Sequence, residues 1–210
     1  MVSGPSAGTS VAAAGQPVRR ARIASLATYV PPRLLTNADL EKMVDTTDEW
    51  ILQRTGIRER HVVDPGVATS DLAKEAALEA IRRAGLQPTD IELIIVGTTT
   101  PDTIFPCTAC LLQHKIGAAG AWGFDLMAAC SGFVYALSTA SRLLVSGSHK
   151  YALVVGADVM SSIIDYTDRA TCVLFGDGAG AVVVSPAADD EFGIVDFVHE
   201  IEGKGATEAL

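Results

Sequence analysis

Positive charge is scarce in this chain. Its 16 Lys and Arg are outnumbered by 25 Asp and Glu, for a formal net charge of −9. Nucleic-acid binders usually carry basic patches, so that class of partner is not expected. Long apolar runs are missing too. Each is cut by Gly, Pro or charge well short of the ~20 residues that span a bilayer, so no membrane association is expected. The 4 cysteines form no disulfide-like framework. With no signal peptide either, the expected compartment is a reducing cytoplasm. Cys107 and Cys110 make a C-T-A-C pair, but no second pair follows and His114 is the only histidine nearby. Zinc takes four ligands, and a redox pair needs its own fold context. No metal or redox cofactor is expected. Met1 to Pro17 carries no charge, is rich in Gly, Ala and Ser, and lacks the cationic start of a targeting sequence. It reads as a disordered leader over residues 1–18.

What is present suffices for one well-cored domain over residues 19–210, since 49% of the chain is hydrophobic and 20% charged. Arg22 to Tyr29 reads as a strand stopped by Pro31-Pro32. Thr36 or Asn37 caps a short helix through Val44, and Asp48 starts a second that Gly56 ends. Thr69 or Ser70 caps a third, with Leu72, Ala76, Leu78 and Ile81 inward, closed by Gly85. Ile91 to Thr98 is too continuously aliphatic for a one-sided strand and should be central, covered on both faces. Pro106 opens a helix that Gly117 ends. Tyr151 to Ala157 is another buried strand. Gly176-Asp177-Gly178-Ala179-Gly180 resembles a phosphate loop, but Val182 to Val184 continue as strand and no helix begins. Asp-Gly between the apolar runs Val173 to Phe175 and Ala181 to Ser185 signals a hairpin instead. Gly193 to His199 reads as a final strand. This order indicates an α/β layered domain with a mainly parallel sheet and an antiparallel edge.

The stretch Phe124 to Phe133, FDLMAACSGF, concentrates the chemistry. Phe124, Leu126 and Met127 form a short apolar strand. From Ser131 to Val145 the spacing turns helical, with Phe133, Leu137, Ala140 and Leu144 on one face and Gly147 as C-cap. Phe133 to Leu137 are apolar in succession, so the first turns should be buried on every side. Cys130 then sits where a strand ends and a buried helix begins. Unpaired N–H groups and the positive end of the helix dipole converge there. A thiolate is stabilised at such a place, and the same N–H groups suit the oxyanion of a tetrahedral intermediate. The ordinary alternative is a small buried hydrophobe.

Three stretches, AACSGF, DTTDEWILQRTGIRER and TDRATCVLFGDGAGAVV, together resemble β-ketoacyl-[acyl-carrier-protein] synthase III, a condensing enzyme of the thiolase superfamily. The resemblance runs from about Ile23 to about His199. It implies one of the two similar halves of a thiolase-like fold, with Cys130 as the acyl acceptor. Trp50 and Arg54 lie four apart on one helix face, a suitable platform for a nucleotide base and its phosphates. The resemblance implies that they bind coenzyme A together with Thr46 and Arg169. The family often has Gly directly after that Arg; Ala170 stands here. The matching Phe105 would cross a homodimer interface to close the partner's acyl pocket, near Met160. The ordinary readings are a packed Trp50, a solvated Arg54, a loop charge at Arg169 and a core aromatic at Phe105.

The implied reaction passes an acetyl or other short acyl group from acyl-CoA to Cys130. It then condenses that group with malonyl-[acyl-carrier-protein], initiating fatty acid synthesis. None of His61, His114, His149 and His199 stands in a segment like the family's catalytic His or Asn motifs, which lie in its second half. The chain is therefore expected to hold the first half only. Two alternatives remain: a relative that makes a secondary metabolite from a longer acyl chain, and a non-catalytic fragment or assembly partner.

Overall fold

The structure is a computed structural model that describes residues 19–188 and 192–204. The leader expected over 1–18 lies outside the described residues. Strand β1 (Ala21–Tyr29) is followed by β2 (Leu34–Thr36), α1 (Asn37–Leu40), α2 (Asp48–Thr55) and β3 (Glu59–His61). Then come α3 (Thr69–Arg83), β4 (Leu93–Gly97), α4 (Thr108–Ile116) and β5 (Trp122–Leu126). The chain continues through α5 (Gly132–Val145), β6 (Ala152–Val159), α6 (Arg169–Cys172) and β7 (Asp177–Pro186).

Five strands form one sheet in the order β1-β7-β6-β4-β5, and β2 pairs with β3 separately. Strand β4 is parallel to both β5 and β6, while β7 runs antiparallel between β6 and β1. Four strands therefore point one way, a mixed and mainly parallel sheet. The antiparallel strand is not at the edge, as its sequence position suggested, but one place in.

Helices α3 and α4 cover one face and α5 the other. Ile94, Val96, Leu153, Val155 and Val183 pack towards α3 and α4. Leu93, Ile95, Val154, Val182 and Val184 pack towards α5. Two covered faces explain why Leu93 to Val96 is an unbroken aliphatic run rather than an alternating one. Each large side chain so buried contributes about 1.5–3 kcal/mol.

Several local expectations change. Helix α1 stops at Leu40, with Thr36 as N-cap. Ala68, not Thr69 or Ser70, is the N-cap of α3, because the Thr69 and Ser70 hydroxyls bond outward to Thr100 and Asp102. No hairpin forms at Asp177-Gly178. Val173 to Phe175 follow α6, and Asp177 begins β7 as a buried carboxylate. It accepts bonds from the Val63 and Ser161 N–H groups, both at 2.8 Å, and from the Ser161 hydroxyl at 2.6 Å. Three donors pin this residue inside the fold, where a turn would expose it. Gly193 to His199 adds no strand. One bond, from the Ile194 N–H to the Ala21 carbonyl at 2.7 Å, follows the edge of β1.

Candidate active site

Three neighbouring parallel strands each lead, at their carboxyl ends, into a segment that carries a residue singled out in the sequence. Phe105 follows β4, Cys130 follows β5 and Met160 follows β6. Carboxyl ends of parallel strands are where open α/β sheets build ligand sites.

Cys130 lies in a 3-10 turn, Ala129–Ser131, that leads directly into α5. Ala129 has φ +44°, a left-handed conformation that costs a non-glycine residue about 1–2 kcal/mol. The Ser131 N–H donates to the Ala128 carbonyl at 3.0 Å and its side chain makes no capping bond, so the start of α5 carries no side-chain cap. The helix is seated by glycine. A Cβ on Gly97 would come 2.8 Å from the Gly132 carbonyl carbon and 3.0 Å from the Phe133 nitrogen. Only a bare backbone at 97 lets the first turn of α5 rest on the end of β4.

Helix α5 is buried along Gly132, Ala136, Ala140 and Leu144, one stripe at four-residue spacing. Val134 is 46% exposed and Met127 70%. Burial on every side is thus not found among the described residues, because a single sheet lies against the helix. The outer face meets part of the last segment. His199 contacts the Ser138 hydroxyl at 3.0 Å and the Tyr135 ring at 4.8 Å, and Arg142 lies 3.9 Å from Asp196. Cys130 itself is exposed.

A second cluster forms where α2 meets α6. The Arg54 guanidinium lies 4.5 Å from the centre of the Trp50 ring, and that of Arg169 lies 4.8 Å from it. Arg169 also donates to the Asp45 carbonyl at 3.1 Å. Next to Asp45, the Thr46 hydroxyl is buried without a protein partner. The structure thus brings Thr46, Trp50, Arg54 and Arg169 together. Arg169 opens a helix capped by the Asp168 side chain rather than standing as a free loop charge. Leu40, Ile51, Cys172 and Val173 form the apolar floor on which Trp50 packs.

Sequence reasoning missed what joins the two helices. Arg60 is 3% exposed. Its guanidinium donates to the Val173 carbonyl and to Asn37 Oδ1, both at 2.5 Å. Asn37 in turn donates to Asp48 at 2.7 Å and to the Ile57 carbonyl at 2.9 Å. Burial lowers the Arg60 pKa from its ordinary value, and burial pushes the nearby Cys172 thiol up. No local pattern marks an arginine that will be buried 113 residues from its partner.

Phe105 is not a core aromatic: it is 89% exposed, and Ile104 is 98% exposed. The loop that carries them is anchored at both ends. Asp102 accepts from the Ser70 N–H at 2.8 Å and from its hydroxyl at 2.5 Å. Asp125 accepts from the Thr108 and Ala109 N–H groups, each at 2.7 Å. Cys107 caps α4 and is half-buried, whereas Cys110 points outward. Met160 is half-buried beside a cleft of about 480 Å³ that Arg33, Met43, Val63, Ser161 and Tyr166 help to line. Cys130 is not among its lining residues.

Among the described residues no three His, Cys, Asp or Glu side chains group as metal ligands, and no helix is long and apolar enough to cross a membrane. His61 bonds to the Pro31 carbonyl at 2.6 Å, and His149 bonds to Trp122 at 2.9 Å and to Ser148 at 2.7 Å.

A family model described as 3-oxoacyl-[acyl-carrier-protein (ACP)] synthase III matches residues 124–203, a range that contains Cys130 and Arg169. The chain is 59% identical over 189 residues to the β-ketoacyl-[acyl-carrier-protein] synthase III of Koribacter versatilis, covering 90% of this chain and 57% of that one. With the Solibacter usitatus protein of that description it is 58% identical over 188 residues, covering 89% and 57%. Among solved structures, 3-oxoacyl-[acyl-carrier-protein] synthase III from Aquifex aeolicus is similar at 51% identity and a TM-score of 0.76, over 79% of this chain and 53% of that one. The priming β-ketosynthase of the R1128 polyketide pathway is similar at 39% identity and a TM-score of 0.86, over 92% and 57%. The chain thus spans little more than half the length of the curated relatives it matches.

Proposed function

Because the chain belongs, over the part it spans, to the β-ketoacyl-[acyl-carrier-protein] synthase III family and has its thiolase-like fold, we propose that it carries the acyl-accepting part of a decarboxylative Claisen condensation. The observation that carries this reading is the exposed Cys130, set between β5 and the glycine-seated start of α5. A thiolate there faces the positive end of the helix, and so does the oxyanion formed when it attacks a thioester.

The Cys130 thiolate attacks the carbonyl of a short acyl-CoA. The tetrahedral oxyanion collapses, the acyl–Sγ bond forms and coenzyme A leaves as a thiolate. Trp50, Arg54, Arg169 and Thr46 hold its nucleotide end, with the ring offered for stacking and the two cations for phosphate. Malonyl-[acyl-carrier-protein] then loses CO₂, and the carbanion left behind attacks the acyl–Cys130 carbonyl. The 3-oxoacyl product departs on the carrier and the Cys130 thiolate returns. The His and Asn donors for the enolate belong to the part of the family's length that this chain does not span. The chemistry calls for no metal or redox group.

A homodimer fits the same reading, with Phe105 on its anchored loop offered to the partner's acyl pocket beside Met160. Four free thiols suit a reducing cytoplasm. The test is incubation with radiolabelled acetyl-CoA, which should label Cys130. Equal labelling of a Cys130→Ala variant would sink the assignment. The similarity to a polyketide priming β-ketosynthase favours one second reading, a longer primer for a secondary metabolite. Preference for butyryl- or hexanoyl-CoA over acetyl-CoA would select it.

A further inference from the structure

Asp158 stands near the carboxyl end of β6, and one of its oxygens serves the whole Thr98–Thr100 run that continues β4. Oδ1 lies 2.7 Å from the Thr99 N–H and 2.9 Å from the Thr99 hydroxyl. It is 3.1 Å from the Thr98 and Thr100 hydroxyls and 3.2 Å from the Thr100 N–H. The run reaches both neighbouring strands. The Val159 N–H donates to the Thr100 hydroxyl at 2.8 Å, and the Thr98 N–H donates to the Leu126 carbonyl at 3.2 Å. One carboxylate oxygen therefore ties together the ends of β4, β5 and β6. These are the strands that deliver Phe105, Cys130 and Met160.

Two consequences follow at the ends of β4 and β6. Thr98 and Thr100 are buried at 4% and 7% exposure, while Thr99 between them is only half-buried. The Thr99 hydroxyl is held by Asp158 and lies 4.0 Å from the Met160 sulfur. Met160 itself directly follows Val159, whose N–H is held by Thr100. Its sulfur-tipped side chain has three rotatable bonds and adapts readily unless its surroundings hold it.

We propose that Asp158 is a positioning residue that sets acyl-chain selectivity, by fixing Thr99 and Met160 as one wall of the space that receives the acyl group on Cys130. The proposal rests on the reading of Cys130 as the acyl acceptor. Asp158 touches no reacting atom and acts through Thr99. Because the donors converge on Oδ1, an amide oxygen in that place can serve them. Asp158→Asn therefore keeps the acceptor, and Asp158→Ala loses it.

The test uses the protein expressed from its full reading frame and measures kcat/KM for acylation of Cys130 by acetyl-, butyryl- and hexanoyl-CoA. Wild type sets the acetyl-to-hexanoyl ratio. Asp158→Ala should move that ratio about tenfold towards the longer chain, the scale on which pockets sense one or two methylenes. Asp158→Asn should restore the ratio to within about threefold. Thr99→Val keeps the size of the side chain and loses the hydroxyl's bond to Asp158 while keeping the N–H bond, so it should shift the ratio in the same direction. It decides the matter if Asp158→Ala does not fold. Equal loss with all three substrates, or an unchanged ratio in a folded Asp158→Ala or Thr99→Val protein, overturns the proposal. A wild type not acylated by any acyl-CoA overturns the reading of Cys130 instead, and is told apart by the absence of any ratio to shift.

Discussion

Replacing Gly97 by Ala should reach Cys130 through the backbone alone. The new methyl would sit 2.8 Å from the Gly132 carbonyl carbon, 3.0 Å from the Phe133 nitrogen and 3.1 Å from the Gly132 oxygen. Ordinary contact for such a carbon begins near 3.4 Å, so the first turn of α5 must retreat by about 0.6 Å, or β4 must yield on a sheet packed on both faces. Overpacking of that kind costs about 1–3 kcal/mol. Cys130 moves with the turn it belongs to. A displacement approaching 1 Å costs a reacting geometry about 100-fold, so acylation should slow by at least about tenfold. Intact-mass measurement of acetyl transfer, alongside urea unfolding, reads both effects. Gly156→Ala is the natural comparison. Its methyl would meet Phe133 Cβ at 3.3 Å and the ring edge at 3.4 Å, close to ordinary contact, so a shift of about 0.1 Å relieves it. A Gly97→Ala protein with wild-type stability and wild-type acylation would refute the claim that glycine seats the helix.

The other predictions concern the second cluster, the ion pairs and the thiols. Arg54→Ala removes a guanidinium from the Trp50 ring, far from the reacting carbon. It should raise KM for acyl-CoA by roughly tenfold with a smaller change in kcat, and an unchanged KM would make both residues scaffold. Arg60→Met leaves the Val173 carbonyl and Asn37 short of a buried donor. Stability should fall by about 1–3 kcal/mol per orphaned group, and KM for acyl-CoA should rise while alkylation of Cys130 by iodoacetamide keeps its rate. Hydrogen bonds from Arg82 and Arg83 hold Glu79 at about 2, and bonds from Thr36 and Lys42 hold Asp39 at about 2. Carboxyl groups with depressed folded values contribute their stability above their unfolded values. That contribution should be complete at neutral pH and be lost between about pH 4.5 and 2; an Asp39→Asn, Glu79→Gln double variant with an undiminished urea-midpoint slope there would refute it. Iodoacetamide at pH 8 should modify Cys130 and Cys110, which are exposed, and spare Cys172, whose thiol burial pushes up. Early modification of Cys172 in the folded protein would contradict the buried floor beneath Trp50.

Much of this molecule is legible within a few residues of any point along the chain. Gly56 and Gly117 end α2 and α4 in the left-handed conformation that glycine adopts most easily. The aliphatic run at β4 signals a strand covered on both faces, and the junction at Cys130 follows from a change of period. These are local matters, settled by backbone sterics, capping and the spacing of apolar side chains. What the sequence does not carry is which distant groups meet. Arg169 beside Trp50, Arg60 under Val173 and Asp158 across Thr98 to Thr100 are pairings between segments that share no period or cap. Asp-Gly at Asp177-Gly178 misleads for the same reason, since buried donors from Val63 and Ser161 outweigh a local turn preference. Helix α5 makes the point from the other side. Its all-apolar start marks it for burial, but how much of it is covered depends on what lies against it. In the tertiary structure that is one sheet and part of one segment, because burial is a property of neighbours rather than of the residues themselves.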